Sequence, residues 1–450
     1  MIFNIKFLCY FVIFISIPLS NNLKTKPILF YYNSSKGSDW IYKNNPLTIF
    51  GAGLEINYSN PKWDINATYI QFGFLGEIGN GLHNFSPTQS FPYIDDSKDA
   101  DGHWSEYIDT RITYNNQSLS LEFGKFDRHW GHGKRALHIS NKTPSYPQFG
   151  MNWEINNKLK IIYFHGFLKS GIIDSSRLDF YHNSFSKRSI NIPRNIASHR
   201  IEWSVNNKLK ISGNETVIYA LRDLDIHYMI PIAPFYPIEN YLGDTDNLQM
   251  GFDAIYLLEN DKKIYFAFFM DELTPEWIFK KKNHNWFAWQ FGYEKMNFII
   301  KNSYLLLEYN WTDQRIYKHK YNINDYYSHG LPLGFWAGPH SEEVFTHYSF
   351  SIRKNIIELE SSFVKRGNSD NEFVQKNYND TYNSRYSDGA EKKQMITIRI
   401  KRLSNIKGLD YILGINQTKF SNLELDNINI KKTSIEIGLN YNFSTDRMHD

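Results

Sequence analysis

The sequence predicts an all-β chain closed into a transmembrane antiparallel barrel of about 18 strands, on three observations. After residue 20 the longest strongly apolar stretch, about Ile264 to Met270, is far below the roughly 18 residues a spanning helix needs. An exported chain that still spans a membrane must then close its backbone hydrogen bonds as a barrel. The chain also alternates: Ile435, Ile437, Leu439, Tyr441 and Phe443 interleave with Glu436, Gly438, Asn440 and Asn442, a period of two with one greasy face and one wet face. The third observation is rhythm, since short breaks and long polar segments follow one another in turn, as transmembrane barrels require.

The elements follow in chain order. Lys6, the apolar run Phe7 to Ile17 and Pro18-Leu19-Ser20 read as a secretory signal peptide over 1–20, cleaved near Ser20. The barrel is expected over 21–443, with a polar tail over 444–450. Short turns are expected near Asn60-Pro61, Asn115-Asn116, Asn156-Asn157, Asn206-Asn207, Asn260-Asp261, Glu294 to Met296, Lys354-Asn355 and Ser404 to Lys407, where Asn, Asp and Pro tolerate turn dihedrals. Longer loops are expected near 36–46, 80–103, 127–147, 169–194, 221–247, 272–284, 311–342, 366–392 and 419–432. The near-identical nonapeptides Trp153 to Ile161 and Trp203 to Ile211 each read as a hairpin with an Asn-Asn turn. Strands at Val344 to Arg353 and Leu409 to Ile415 alternate in the same way. Gln71, Arg111, His165, Glu215, Asp253 and Arg399 sit inside otherwise apolar strands, and are expected to face a polar lumen.

Composition narrows the class. With 50 Lys+Arg against 47 Asp+Glu, the chain lacks the basic balance of a nucleic-acid binder. Aromatics make up 17% of 450 residues, which excludes disorder. The single Cys, Cys9, lies in the leader, so neither a disulfide nor a thiolate metal site is expected in the mature chain. No Gly-x-Ser-x-Gly, His-Glu-x-x-His or P-loop occurs, so neither an enzyme nor a cofactor is expected.

Three segments stand apart from ordinary polar spacers: Gly124-Lys125 through Trp130-Gly131-His132-Gly133-Lys134-Arg135 with Tyr146-Pro147; Asn214-Glu215 through Arg222, Pro234-Phe235-Tyr236, Glu239-Asn240 and Gly243-Asp244-Thr245-Asp246-Asn247; and His329-Gly330-Leu331-Pro332-Leu333-Gly334-Phe335-Trp336-Ala337-Gly338-Pro339-His340. Gly and Pro punctuate all three, which implies defined conformations; such loops are expected to enter the lumen.

Together with Ser198-His199-Arg200-Ile201-Glu202, these motifs resemble the capsule assembly protein Wzi family over about residues 100 to 345. His132 departs from it, at a position where the family more often has Pro, and no counterpart of the N-terminal helical plug of some members is visible. The resemblance implies an 18-stranded outer-membrane barrel that acts as a surface lectin for exported capsular or other polysaccharide, among outer-membrane lipid and lipopolysaccharide. The Glu436-x-Gly438-x-x-Tyr441-x-Phe443 ending resembles the signal read by the barrel assembly machinery.

The residues fit that chemistry. Sugars offer apolar ring faces and a rim of hydroxyls, so a site needs flat aromatics beside multivalent donors and acceptors. Trp130, Tyr146, Tyr236 and Trp336 supply the first, and Arg128, Arg135, Arg222, Glu239, Asp244 and Asp246 the second. His132 and Lys134 extend the basic cluster, which would attract an acidic polysaccharide. The competing reading pairs these charges across the lumen and packs the aromatics against its wall. Asp244 and Asp246 could hold Ca²⁺ or cap Asx turns. A passive or selective channel is the alternative function, separable by whether the loops near 127–147, 221–247 and 311–342 fill the lumen.

Overall fold

The computed structural model describes residues 22–38, 45–76, 85–95, 102–185, 187–259, 261–272, 285–370 and 385–442. The expected leader over 1–20, Phe443 and the tail over 444–450 lie outside the described residues.

Strands β1(Leu23–Ser34), β2(Leu47–Ser59), β3(Trp63–Leu75), β4(His103–Asn116), β5(Leu119–Phe126), β6(Tyr146–Asn156), β7(Leu159–Ile173), β8(Asn191–Ser204) and β9(Leu209–Ala220) form the first half of the wall. The second half is β10(Asn247–Leu258), β11(Lys262–Glu272), β12(Trp286–Met296), β13(Ser303–Thr312), β16(Ser341–Ile352), β17(Asn355–Arg366), β18(Glu391–Leu403), β19(Leu409–Leu423) and β20(Ile428–Tyr441). The two-residue strands β14(Tyr327–Ser328) and β15(Leu331–Pro332) form a separate hairpin in the loop between β13 and β16. The wall is one 18-stranded antiparallel sheet, closed by β1 on β20 from Leu29↔Tyr441 to Ser34↔Glu436. Closure removes both sheet edges, the condition for β-structure in a bilayer.

The alternation maps onto the two faces. On β18, Ile396, Ile398 and Ile400 point out, while Lys393, Thr397 and Arg399 are buried inside. On β20 the outward set is Ile435, Ile437 and Leu439, against Lys432, Ser434, Glu436 and Asn440 within. Trp63, Trp153 and Trp203 lie outward near the short-turn rim, the level of an interfacial aromatic girdle. Short connections join the strands near the eight expected positions, but Asn115-Asn116 and Glu294 to Met296 end β4 and β12, whose turns follow at 117–118 and 297–302, the latter the longest among the described residues; Asn260 lies outside the described residues.

Two expectations change. The ninth long loop, expected over 419–432, is the four-residue turn 424–427, because β19 and β20 continue with polar alternating residues above the apolar belt, across a bulge at Phe420/Leu423. Arg111, Asp253 and Arg399 face the lumen as expected, but Gln71, His165 and Glu215 do not. Gln71 shares the outward face of Tyr69 and Leu75. His165 shares that of Phe167, and Glu215 pairs with His199 on the face of Ile201 and Trp203. A period of two separates the faces without saying which is inside.

Candidate functional site

Among the described residues, three loop segments turn into the lumen and share one core. Trp130, Leu137 and Ile139 from 127–145, Ile316, Tyr317, Tyr326, Leu333, Phe335 and Trp336 from 313–340, and Phe85 pack with the inward wall residues Phe164, Ile196, Ile218, Phe269, Val364 and Phe420. Each large apolar side chain buried in this way contributes about 1.5–3 kcal/mol. The loops are also tied to each other. The Tyr317 hydroxyl donates to the Leu137 carbonyl at 2.7 Å and the Tyr326 hydroxyl to that of His138 at 2.8 Å. Ser140 Oγ donates to the Gly334 carbonyl at 2.6 Å, and Lys142 Nζ to that of Thr88 at 2.9 Å. His329 and Gly330, with φ of 55° and 74°, make the tight turn between β14 and β15, a mirror-type turn that needs left-handed residues.

The 127–145 loop is pinned from below by a carboxylate. Glu308 of β13 accepts the backbone N–H groups of Lys134 at 2.6 Å and Arg135 at 3.1 Å, together with the Tyr265 hydroxyl. Gln290 donates to the Arg135 carbonyl at 2.6 Å. Gly133 makes this approach possible, since a Cβ there would stand 2.3 Å from Glu308 Oε1.

The sequence-predicted residues of this region are consumed by the plug. Trp130 is 6% exposed, edge-on to Phe164 at 5.2 Å and beneath the Arg200 guanidinium at 5.7 Å. Arg128 pairs with Glu122 and donates to Gln148 at 2.8 Å. His132 lies 3.0 Å from Asp253, which also holds Arg200 through bonds of 2.6 and 2.9 Å. Lys134 reaches Glu360 at 3.2 Å. Arg135 lies over Phe345 at 4.3 Å and 3.7 Å from Glu343. Trp336 donates to that same Glu343 at 2.7 Å, and Tyr146 is buried against Gly166. The competing sequence reading, charges paired across the lumen and aromatics packed on its wall, describes these residues.

The second motif segment behaves differently. Residues 221–246, which the sequence reading sent into the lumen, fold down the outer face of the wall. Tyr228, Phe235, Ile238 and Leu242 pack on Tyr163, Ala197, Val217 and Tyr219, all on the outward side of β7 to β9. The helix Phe235–Leu242 has its first N–H on Glu215 at 2.8 Å, and Glu215 also meets His199 at 3.1 Å. The reason is local: outward His165, His199 and Glu215 need partners that acyl chains lack. Arg222 clamps Asp246 with bonds of 2.8 and 2.5 Å and reaches Asp225 at 3.0 Å, while the Tyr228 hydroxyl donates to Asp246 at 2.7 Å. Asp244 faces Lys320 of the plug at 3.2 Å. The two aspartates are thus engaged by cations and a hydroxyl. Glu239 is buried, and its carbonyl receives the Asp244 N–H at 3.1 Å, whereas Tyr236 is exposed on the outer surface of this segment. The three motif segments therefore divide between two sides of the wall.

Two features escape the sequence reading. A cavity of about 480 Å³ lies under the plug, lined by Asp127, His129, His132, Lys134, Glu294, Tyr304 and His347, toward the short-turn half of the lumen. The 174–190 loop projects from the long-loop rim with Phe180 81% and Phe185 96% exposed, beside Tyr181, Arg177, Lys187 and Arg188. It is held by its own bonds, Asp174 N–H to Ile190 O at 2.8 Å and Arg188 N–H to Tyr181 O at 3.0 Å. Without Gly or Pro punctuation it draws no notice, although its interleaved aromatic and basic residues were the available signal.

Burial, the leading cause in each case, holds plug residues His138, His319, His329 and His340 down at about 4. Burial pushes Asp313 up to about 6.

No family model matches the chain, and no curated protein matches it. Among solved structures it is similar to Wzi of Escherichia coli, an outer-membrane protein involved in group 1 capsule assembly and described as a carbohydrate-binding β-barrel, at 13% identity with a TM-score of 0.58 over 93% of this chain and 85% of that one. It is also similar to OccAB2 of Acinetobacter baumannii, at 9% identity and a TM-score of 0.50 over 94% and 98%, and to OpdK of Pseudomonas aeruginosa with vanillate, at 9% and 0.50 over 93% and 98%. At these identities the likeness is one of fold, and that fold is the closed outer-membrane β-barrel.

Proposed function

We propose that the protein sits in the outer membrane, with its long loops outermost, and holds exported surface polysaccharide there, in the manner of a capsule-assembly lectin of the Wzi type. One observation carries this reading: above the cavity the inward loops pack across the lumen in one apolar core that reaches the wall from Tyr146 of β6 to Phe420 of β19, while Phe91 packs on Phe72 and Phe74 of β3 in a second cluster. A barrel so filled works at its surface. The exposed rings of Phe180, Tyr181 and Phe185 beside Arg177, Lys187 and Arg188 offer the stacking faces and cationic donors that an acidic glycan requires. It acts by binding, without catalysis.

The test is a paired one. In planar bilayers the protein should show no steady conductance, and cells should lose attached polysaccharide when Phe180→Ala and Phe185→Ala are combined, with secretion unchanged. Steady channels, with normal retention in the double variant, would remove the reading. A second reading, a selective channel opened by plug movement, is favoured by the polar cavity beneath the plug; porin-like conductance on deleting 315–338 alone would not distinguish it, but substrate-triggered conductance of the intact chain would.

A further inference from the structure

On most of the wall the outward positions continue as a belt of Ile, Leu, Phe and Tyr. On β7 to β9 that belt is broken by His165, Asn195, His199 and Glu215. The break is deep. His199 lies four residues above Trp203 on β8, about 10 Å in height for ~3.3 Å per residue at a strand tilt of about 40°, and the apolar band of such barrels is about 25 Å tall. The polar patch therefore sits near mid-belt, where uncovered charge is costly.

Residues 221–242 cover this patch and turn a second apolar face outward: Ile226, Ile230 and Ile232, with Ile232 68% exposed, and Tyr236 on the helix. The segment is anchored at the patch level on either side of Ile232, by the Tyr163 hydroxyl donating to the Tyr228 carbonyl at 2.9 Å and by Glu215 on the Phe235 N–H. Its underside is mostly apolar, Tyr228, Phe235, Ile238 and Leu242 on Tyr163, Ala197, Val217 and Tyr219, with the Phe235 N–H meeting Glu215, and its outer side is apolar where the belt is missing.

We infer that this loop is a lipid-facing flap that restores the broken belt, with Ile230, Ile232 and Tyr236 against the acyl chains of the outer leaflet. The inference rests on the outer-membrane placement proposed above. Acyl chains are the occupant because the flap's outer face is continuous with exposed Ile201, Phe167 and Phe252 of the same belt, at a depth where a bilayer offers nothing else. The irregular backbone there is served by side chains, Tyr219 Oη taking the Asp225 N–H at 3.0 Å and Asp225 Oδ1 the His227 N–H at 3.0 Å, as a segment at membrane depth demands.

Cys9 is the only cysteine, so a Cys9→Ser background allows one spin label per molecule. Ile232→Cys and Tyr236→Cys are to be labelled in full-length protein in phosphatidylcholine vesicles, with Ile398→Cys as belt control and Phe185→Cys as rim control. Collision with oxygen against a water-soluble nickel chelate should place Ile232 and Tyr236 with Ile398, their oxygen-to-nickel ratio several-fold above that of Phe185. Ratios like that of Phe185 would overturn the flap. So would exclusion of both reagents, the sign of a second protein surface covering it. If Ile398 itself met nickel freely, the membrane placement would fail first and the flap with it.

Discussion

The 127–145 loop and the 221–246 loop are built from similar residues, with aromatics, Pro or Gly and paired charges, yet one enters the barrel and the other lies outside it. The wall beneath them decides. Inside, β7 to β9 present Ile162, Phe164, Ile196 and Ile218, an apolar pocket that Trp130 completes. Outside, the same three strands present Tyr163, Ala197, Val217 and Tyr219 around His165, His199 and Glu215, whose polar groups are met by the Tyr219 hydroxyl, by each other and by the Phe235 N–H of the loop. A loop settles on the face whose unmet demand matches its own side chains, and loop composition by itself does not reveal that face.

This contrast can be broken most strongly by acid. The four plug histidines held near 4 would titrate near 6.5 in an unfolded chain. Between those values the unfolded plug binds more protons, so stability present above about pH 6.5 is lost as pH falls toward 4. Asp313, raised to about 6, takes its proton first in the folded plug and offsets one histidine. Hydrogen exchange in 313–340, corrected for its intrinsic pH dependence, should accelerate more steeply between pH 6.5 and 4 than exchange in 221–242. Equal acceleration in both would mean that the loops open as a unit.

A single substitution should separate them next. Asp253→Ala leaves the Arg200 guanidinium buried without its bidentate partner and releases His132, a loss of about 3–5 kcal/mol for a broken buried pair. Urea unfolding should shift by that amount, and exchange should rise in 127–145 and not in the flap. The smallest effect belongs to the link between the two regions. Asp244→Asn, which keeps a residue that tolerates the left-handed backbone at φ 53°, removes the exposed charge contact with Lys320 and should change stability by less than about 0.5 kcal/mol, with no change in thermal midpoint on adding Ca²⁺. A larger loss would show that plug and flap are coupled through the rim.

Much of the wall was legible because a closed sheet enforces a period of two over many residues, and Arg111, Asp253 and Arg399 were assigned to the lumen by that rule. It failed at His165 and Glu215, where both faces of a strand mix polar and apolar residues and only the neighbouring loop distinguishes them. It failed again above the belt, where Thr418, Lys419, Lys431 and Lys432 look like loop although they remain paired. Trp130 and Trp336 could be recognised as special, but whether a ring meets solvent or a second loop depends on contacts between segments some 200 residues apart, which no local pattern encodes. Phe180 and Phe185 are the reverse case, since their spacing with Arg177, Lys187 and Arg188 is local and their exposure needs no distant contact.

Among the described residues the seam between the first and last strands joins six residue pairs, Leu29–Ser34 with Glu436–Tyr441, whereas β1 meets β2 along twelve, Leu23↔Tyr58 to Ser34↔Leu47. Ordering nearly the whole chain before two such distant stretches meet makes this the most entropically demanding ladder in the molecule. Assembly should therefore pass through an open, curled sheet whose two free borders are the terminal strands, and whatever guides insertion must shield those borders until they zip together.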